Sequence, residues 1–513
     1  MERSKNRQLA INMGATFVTF FVGLGISFLL TPYIVNRLGA AAYGFVGLSS
    51  NIIDYTTLLT MALNSMAGRF ITICYTKGDV DNANKYFSSV FYANIVVASA
   101  ILIMMGCCLV YLEKIFEIPL NLITDVKLLF SLLVLNSLIG LLTNIYAIAT
   151  FIKNRLELSS IRQIVGNLIR AVAIVLLFGF LPPHIWYIGL AGLILTLYTS
   201  YTNYRFTRYL TPELRLCHTN FEISKVNRLI SSGIWNTFNK LGVILGQGLD
   251  LVIANLFIGA TAMGIFSISK QIPFIIIGMC GAISGVFAPP LTRLYAENNV
   301  VQFKNEINKA IRILGFATIA PLSFIYVYGD KFYELWMPSQ NCNQLYLLSI
   351  LCALELSLSL PLEVIWNVFT ISNKLKVSSI FLFCNHLISF LIVLTGMYLV
   401  EDVMLKLIIL ASTRTILGIV RSLTFLPMYG AYCVGLPLLS FYQSVFKSFI
   451  ATAVTCVILS GTKYVLNVDS WNLLIVSGVI TCVVALCVSG VIVLSSADKA
   501  FLMSKIQIPY SPK

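Results

Sequence analysis

Charge is what this sequence has least of. Asp, Glu, Lys and Arg make up 11% of its 513 residues, against roughly a quarter in an ordinary soluble domain, and so small a supply excludes a water-soluble globule of this size. Histidine is scarcer still. His184, His218 and His386 are scattered with no H-E-x-x-H spacing, which leaves no zinc-peptidase motif. Twelve cysteines include no C-x-x-C pair, and Cys107, Cys108, Cys280, Cys352, Cys384, Cys456, Cys482 and Cys487 all lie within apolar runs. Their expected role is small apolar packing rather than metal or disulfide chemistry. No catalytic constellation stands out, so the chain is not read as an enzyme, and no resident cofactor is expected.

Hydrocarbon is what the chain has in abundance, with 58% hydrophobic residues. Apolar runs long enough to cross roughly 30 Å of bilayer occupy 9–36, 42–65, 88–112, 124–148, 163–181, 185–204, 230–256, 261–288, 309–328, 344–369, 377–400, 403–425, 445–465 and 471–494. Runs such as FVGLGISFLL and LISFLIVLTGMYLV do not alternate polar with apolar residues, so the spans are helices and not barrel strands. Lys5 and Arg7 precede the first run, but that run exceeds the roughly 7–15 residues of a cleavable leader. It is expected to be a retained first helix.

The net charge of +14 raises the question of an acidic partner. With the N-terminus inside and each span crossing once, most of the Lys and Arg residues fall on cytoplasmic loops, for example Arg69, Lys77, Lys85, Lys153, Arg155, Arg208, Arg215 and Arg293. This is the positive-inside bias. Topology and anionic lipid headgroups account for it, so nucleic acid is not an expected partner, and an even span count places both termini in the cytoplasm.

The chain repeats itself once. LGAAAYGFVGLS at 38–49 is answered by IGATAMGIFSIS at 258–269, with Gly39 matching Gly259, Ala40 Ala260, Ala42 Ala262, Gly44 Gly264 and Ser49 Ser269. Six spans separate the copies, and an even number preserves direction, so the repeat is parallel. The expected organisation is a six-helix lobe over 1–212, a second over 213–426, and an appended helix pair with a tail over 427–513. The copies read as tight small-residue turns, with the basic stretch RFTRYLTPELRLCHTNFEISKVNRL as the linker between lobes. Residues 66–87 read as an interfacial helix-loop, and Trp186, Tyr187, Trp336, Tyr464 and Trp471 as interfacial anchors.

A charge in mid-membrane costs about 2.5–3.5 kcal/mol on insertion scales, so each needs a partner, a wet cavity or a function. Asp54, Arg170, Lys240, Asp250, Lys270, Glu355, Glu363 and Arg414 are the instances. On the seventh span Asn239, Lys240, Gln247 and Asp250 all fall within about 60° of Asn236 at 100° per residue, forming a polar stripe. Ser267, Lys270, Gln271 and Phe274 mark the eighth span, Asn51, Asp54 and Tyr55 the second, and Asn12, Thr16, Gly23 and Ser27 the first. Packed helices can use Asn and Ser as glue, but two lysines exceed that need. Lys240, Lys270, Arg414 and Arg170, with Asn236, Asn239, Gln247 and Gln271, are candidates for a cationic cavity that takes a phosphate. Asp54, Asp250, Glu355 and Glu363 are candidates for H⁺ or Na⁺ coupling, or for neutralising those cations.

The opening span with its basic N-terminus, the phrase TPYIVNRLGAAAYGFVGLS, the six-plus-six repeat and the extra pair resemble the Wzx-type polysaccharide and oligosaccharide flippases of the multidrug/oligosaccharidyl-lipid/polysaccharide exporter superfamily. The resemblance implies an all-α polytopic membrane protein of about fourteen helices, with two MATE-like lobes enclosing a cationic cavity and the C-terminal pair added. It implies a cargo of undecaprenyl-diphosphate-linked oligosaccharide, an O-antigen, capsule or exopolysaccharide unit, turned across the bacterial inner membrane by alternating access with ion or potential coupling. Membrane lipids and polysaccharide polymerase machinery are the partners that go with it. The alternative is a multidrug or organic-cation antiporter of the related branch, where twelve spans and an acidic cavity are usual. A membrane glycosyltransferase or polymerase would need a large loop on the far face, and the longest there, around GDKFYELWMPSQN, is short.

Overall fold

The computed structural model describes residues 2–153, 155–297, 299–372, 374–495 and 498–499, without the side chains of 2–17, 19–21, 156, 247, 289 and 296. Among the described residues there is no strand. Twelve helical segments are long and apolar enough to cross a membrane. Two features reconcile these with the fourteen predicted spans. The first helix, Glu2–Thr76, is 75 residues long and holds two spans joined at Gly39, whose φ of 86° breaks it. Trp186–Leu210, the predicted sixth span, is a full-length helix whose second half, LYTSYTNYR, is too polar to count by hydropathy.

Helix ends follow local chemistry. Gly78, at φ 79°, turns the chain after Thr76, and the Asp79 carboxylate accepts from the Asn82 N–H to cap the helix Val80–Val110. The stretch 66–87 is therefore helix continued to Thr76, a short turn and a new helix, not the interfacial helix-loop expected of it. Asn299, Asn341, Asp402 and Ser470 cap later helices in the same way.

Several spans are interrupted. The fourth runs Ile123–Thr143, passes through a 3₁₀ turn at Asn144–Ala147, and resumes at Ile148–Ile152. The tenth runs Cys342–Ala353, then Leu356–Ser359, a 3₁₀ turn at Leu360–Leu362 around Pro361, and Ile365–Ile371. These two spans stand six apart, so the two halves share a 3₁₀ break in corresponding helices. The seventh span carries a π turn at Ile244–Gly248, in the glycine-spaced run GVILGQGLD.

The described residues fall into two compact units, 1–268 with 379–390, and 269–378 with 391–513. In the first unit the long first helix packs on 80–110, 156–180 and 223–243, around a core that includes Leu63, Ile71, Phe87, Ile145 and Leu229. In the second unit the helix Val300–Trp336 packs on Tyr442–Val465 and Trp471–Ile492. Small residues permit that contact: a side chain at Gly315 would meet Ser448 Oγ at 2.0 Å. Polar ties secure it, including Lys463 Nζ with Asp330 at 2.7 Å and Tyr328 with Thr462 at 2.8 Å. The outer faces of these last two helices expose Val457, Val479, Val483 and Val491, as lipid-facing sides must. Tyr187 and Trp336 are buried and serve as core residues rather than interfacial anchors, whereas Tyr464 and Trp471 are exposed.

The basic stretch 205–229 lies wholly within the first unit and is not slack. Asn84 Nδ2 donates to the Glu213 carbonyl and Asn84 Oδ1 accepts from the Arg215 N–H. Ser88 Oγ accepts from the Cys217 N–H, Ser89 Oγ from the Glu222 N–H, and Lys85 Nζ lies 2.9 Å from Glu222 Oε1. The hydrogen bond from Lys85 holds the Glu222 carboxyl below its ordinary value of 4.5. A depressed carboxylate contributes order that is present above that value and lost as pH falls through the lower, folded one. Glu222→Gln is expected to speed amide exchange across 211–222 at neutral pH, and the wild type to approach the variant's rate only below about pH 4. Equal exchange at pH 7 would refute this.

Candidate functional site

The repeated phrase meets itself in the first unit. A side chain at Gly44 would lie 2.8 Å from Gly264 Cα, and one at Gly47 2.8 Å from Ser267 Oγ. Both pairs are equivalent positions of the two copies, as a local two-fold relation between copies requires. At Gly264 a Cβ would stand 2.0 Å from the Ala40 carbonyl oxygen, so two backbones touch. Gly39 and Gly259 both have positive φ, 86° and 120°, and supply the predicted reversals.

Beyond this crossing the polar stripe of the seventh span faces the second half of the first helix. Lys240 Nζ lies 2.5 Å from Asp54 Oδ2, and Asn236 Nδ2 donates to Ser65 Oγ at 3.1 Å. Tyr55 OH and Asn51 Nδ2 both donate to the Gly248 carbonyl, at 2.6 and 3.1 Å. That carbonyl belongs to the π turn, and π turns recur at functional sites. His386 closes the other side: its Nδ1 is 2.6 Å from the Gly242 carbonyl, and its ring fills the space where a side chain at Gly246 would stand, 2.5 Å away. Nothing in the sequence marks His386, because its partner is a backbone carbonyl 144 residues away. Asp250 is buried just after the turn, and Asn239 is half-buried. The Arg170 Nε is buried with no hydrogen-bond partner. The side chains of Gln247, Asn12 and Thr16 lie outside the described residues.

The second unit holds the remaining candidates. Lys270 is 4% exposed, and its ammonium sits 5.2 Å from the centre of the Phe274 ring, a cation–π contact available to a desolvated lysine. Gln271 and Arg414 are half-buried. Glu355 and Glu363 occupy the two breaks of the tenth span. Glu355 is buried, its Oε2 has no hydrogen-bond partner, and a side chain at Gly418 would collide with it. Glu363 lies within electrostatic reach of Arg421. Broken helices recur at the binding sites of transporters. No cluster of three or more His, Cys, Asp or Glu able to hold a metal occurs among the described residues.

Residues 9–295 match the model of a family described as polysaccharide biosynthesis protein. The chain belongs to that family. The membrane protein EpsK of Bacillus subtilis (strain 168) is 29% identical over 479 residues, covering 92% of this chain and 93% of that one. Among solved structures the fold is similar to the lipid II flippase MurJ in an inward closed conformation, with TM-score 0.68, 14% identity, and coverage of 97% of this chain and 100% of that one. It is also similar to an inward-facing multidrug resistance MATE family transporter of the MOP superfamily, with TM-score 0.61, 15% identity, and coverage of 83% and 97%. An all-helical, multi-pass membrane fold of the MATE and MurJ type follows from these likenesses, together with membership of a polysaccharide biosynthesis family.

Proposed function

We propose that the protein is a flippase that moves an undecaprenyl-diphosphate-linked oligosaccharide across the bacterial inner membrane by alternating access, with H⁺, Na⁺ or the membrane potential as the drive. The observation that supports it most is the presence of lysines inside two spans of a polysaccharide-family chain. Lys270 is buried over an aromatic ring, and Lys240, on the polar stripe, is held by Asp54. Ammonium groups held at that depth suit a diphosphate and disfavour an organic cation. In this reading 1–212 and 213–426 are the lobes, 427–513 is the appended pair and tail, and both termini are cytoplasmic. Lys240, Lys270, Arg414 and Arg170 hold the phosphates, with Asn236, Asn239, Gln247 and Gln271 around them. Asp54, Asp250, Glu355 and Glu363 bind the coupling ion or neutralise the cations. Polymerase machinery would receive the cargo, and no step of enzymatic chemistry is assigned.

Proteoliposomes containing the purified protein test this. Fluorescently tagged undecaprenyl-diphosphate oligosaccharide placed in one leaflet should become accessible to a membrane-impermeant quencher on the other side. The reading fails when the tagged lipid stays put while an organic cation is exchanged, which would favour the antiporter.

A further inference from the structure

The polar stripe does not absorb a cavity of about 470 Å³ in the first unit, between residues 64–73 of the first helix and 144–151 of the interrupted fourth span. Its lining mixes the polar Asn64, Ser65, Arg69, Thr72 and Asn144 with Phe151 and aliphatic residues. We propose that this cavity binds a phosphate-bearing lipid headgroup, with the Arg69 guanidinium as the anion anchor and the Asn144 amide beside it.

Three observations carry the assignment. Arg69 makes no hydrogen bond or ion pair among the described residues, although acidic residues elsewhere on this face are paired with Lys85, Arg155 and Lys225. A guanidinium facing a cavity presents a planar fork that fits two phosphate oxygens. Asn144 lines the cavity where the fourth span leaves the α conformation for 3₁₀, at a bend and not on a regular helix face.

The cavity is also amphiphilic. Ile73 and Phe151 are exposed at 41% and 57%, giving an apolar flank for a hydrocarbon chain beside the polar wall. Its volume is within the range of small-molecule sites. Ser65 belongs both to the cavity lining and to the hydrogen bond with Asn236, so the headgroup site adjoins the stripe at its first member. The inference rests on the flippase reading only in naming one source of the phosphate, a polyprenyl phosphate cargo. A bilayer phospholipid is the other.

Binding is measured on the full chain in phosphatidylcholine nanodiscs with three probes: undecaprenyl phosphate, phosphatidylglycerol and inorganic phosphate. Arg69→Ala is expected to weaken lipid-phosphate binding at least about tenfold, the usual size for a lost charge-assisted contact. Arg69→Lys should recover part of it, and Asn144→Ala should weaken it less. Preference for undecaprenyl phosphate identifies the site with the cargo. Equal binding of phosphatidylglycerol identifies a structural lipid site, and competition by inorganic phosphate confirms that the anion alone is recognised. Wild-type binding of all three probes by both Arg69→Ala and Asn144→Ala overturns the proposal. If Arg69→Ala does not fold, Arg69→Gln and Asn144→Ala carry the same decision. Because the readout is binding, a protein that binds but fails to translocate in proteoliposomes refutes the flippase reading and leaves this site standing.

Discussion

Gly264→Ala should unfold in detergent at a markedly lower temperature than the wild type, whereas Gly281→Ala on the same helix should not. Both substitutions add one methyl group to the helix Ala260–Ala296, and intrinsic propensity favours both by roughly 0.5–1 kcal/mol. Their surroundings differ. A Cβ at Gly281 has nothing within 4 Å, whereas one at Gly264 would lie 2.0 Å from the Ala40 oxygen and 2.3 Å from its carbonyl carbon. Backbone cannot rotate away as a side chain can, so the helices must separate. Overpacking of this kind costs about 1–3 kcal/mol or more, and separation also exposes the buried Ala42 and Phe45. Gly264→Leu should fail to accumulate as folded protein. A melting curve for Gly264→Ala that overlays that of Gly281→Ala would show that the crossing is not a close contact.

The same residues show how much of the molecule was legible in its sequence. Span count, helical class and the two small-residue turns follow from composition, run length and glycine placement, because lipid permits few architectures and Gly alone accepts the φ at 39 and 259. The pairing of Lys240 with Asp54 was not legible. Periodicity puts each on a polar face, but 186 residues separate them, and nothing local says which faces meet. The π turn was equally hidden: GVILGQGLD shows flexible backbone, yet the donors to the Gly248 carbonyl come from Asn51 and Tyr55. The polar patch on the second span was visible, but its use in holding a distorted turn depends on tertiary contact. Arg69 looked like one more cytoplasmic charge until the cavity beside it was seen. The corresponding 3₁₀ breaks in spans four and ten strengthen the repeat beyond what five matching residues in twelve could do.

Replacing Lys240 and Lys270 together by Ala should abolish surface-polysaccharide export while the protein still reaches the membrane. Each ammonium contact to a phosphate is worth about 1.5–3 kcal/mol, so losing two lowers transport by roughly a hundred- to ten-thousand-fold. The Lys240–Asp54 pair complicates the reading of the single variants. Lys240→Ala strands a carboxylate within the second span, and its effect mixes lost cargo binding with an unpaired charge. Asp54→Asn combined with Lys240→Ala removes both charges and separates the two roles. If the lysine serves only to neutralise Asp54, this neutral pair should transport nearly as well as the wild type. If the lysine holds the diphosphate, with Asp54 keeping it in place between cargoes, the neutral pair should remain as inactive as Lys240→Ala. Lys270 offers the complementary test, since Phe274 supplies a contact that does not compete by charge: Phe274→Leu should weaken cargo affinity less than Lys270→Ala does. Unimpaired export by the double lysine variant would sink the cationic site altogether and leave both residues as structural cations.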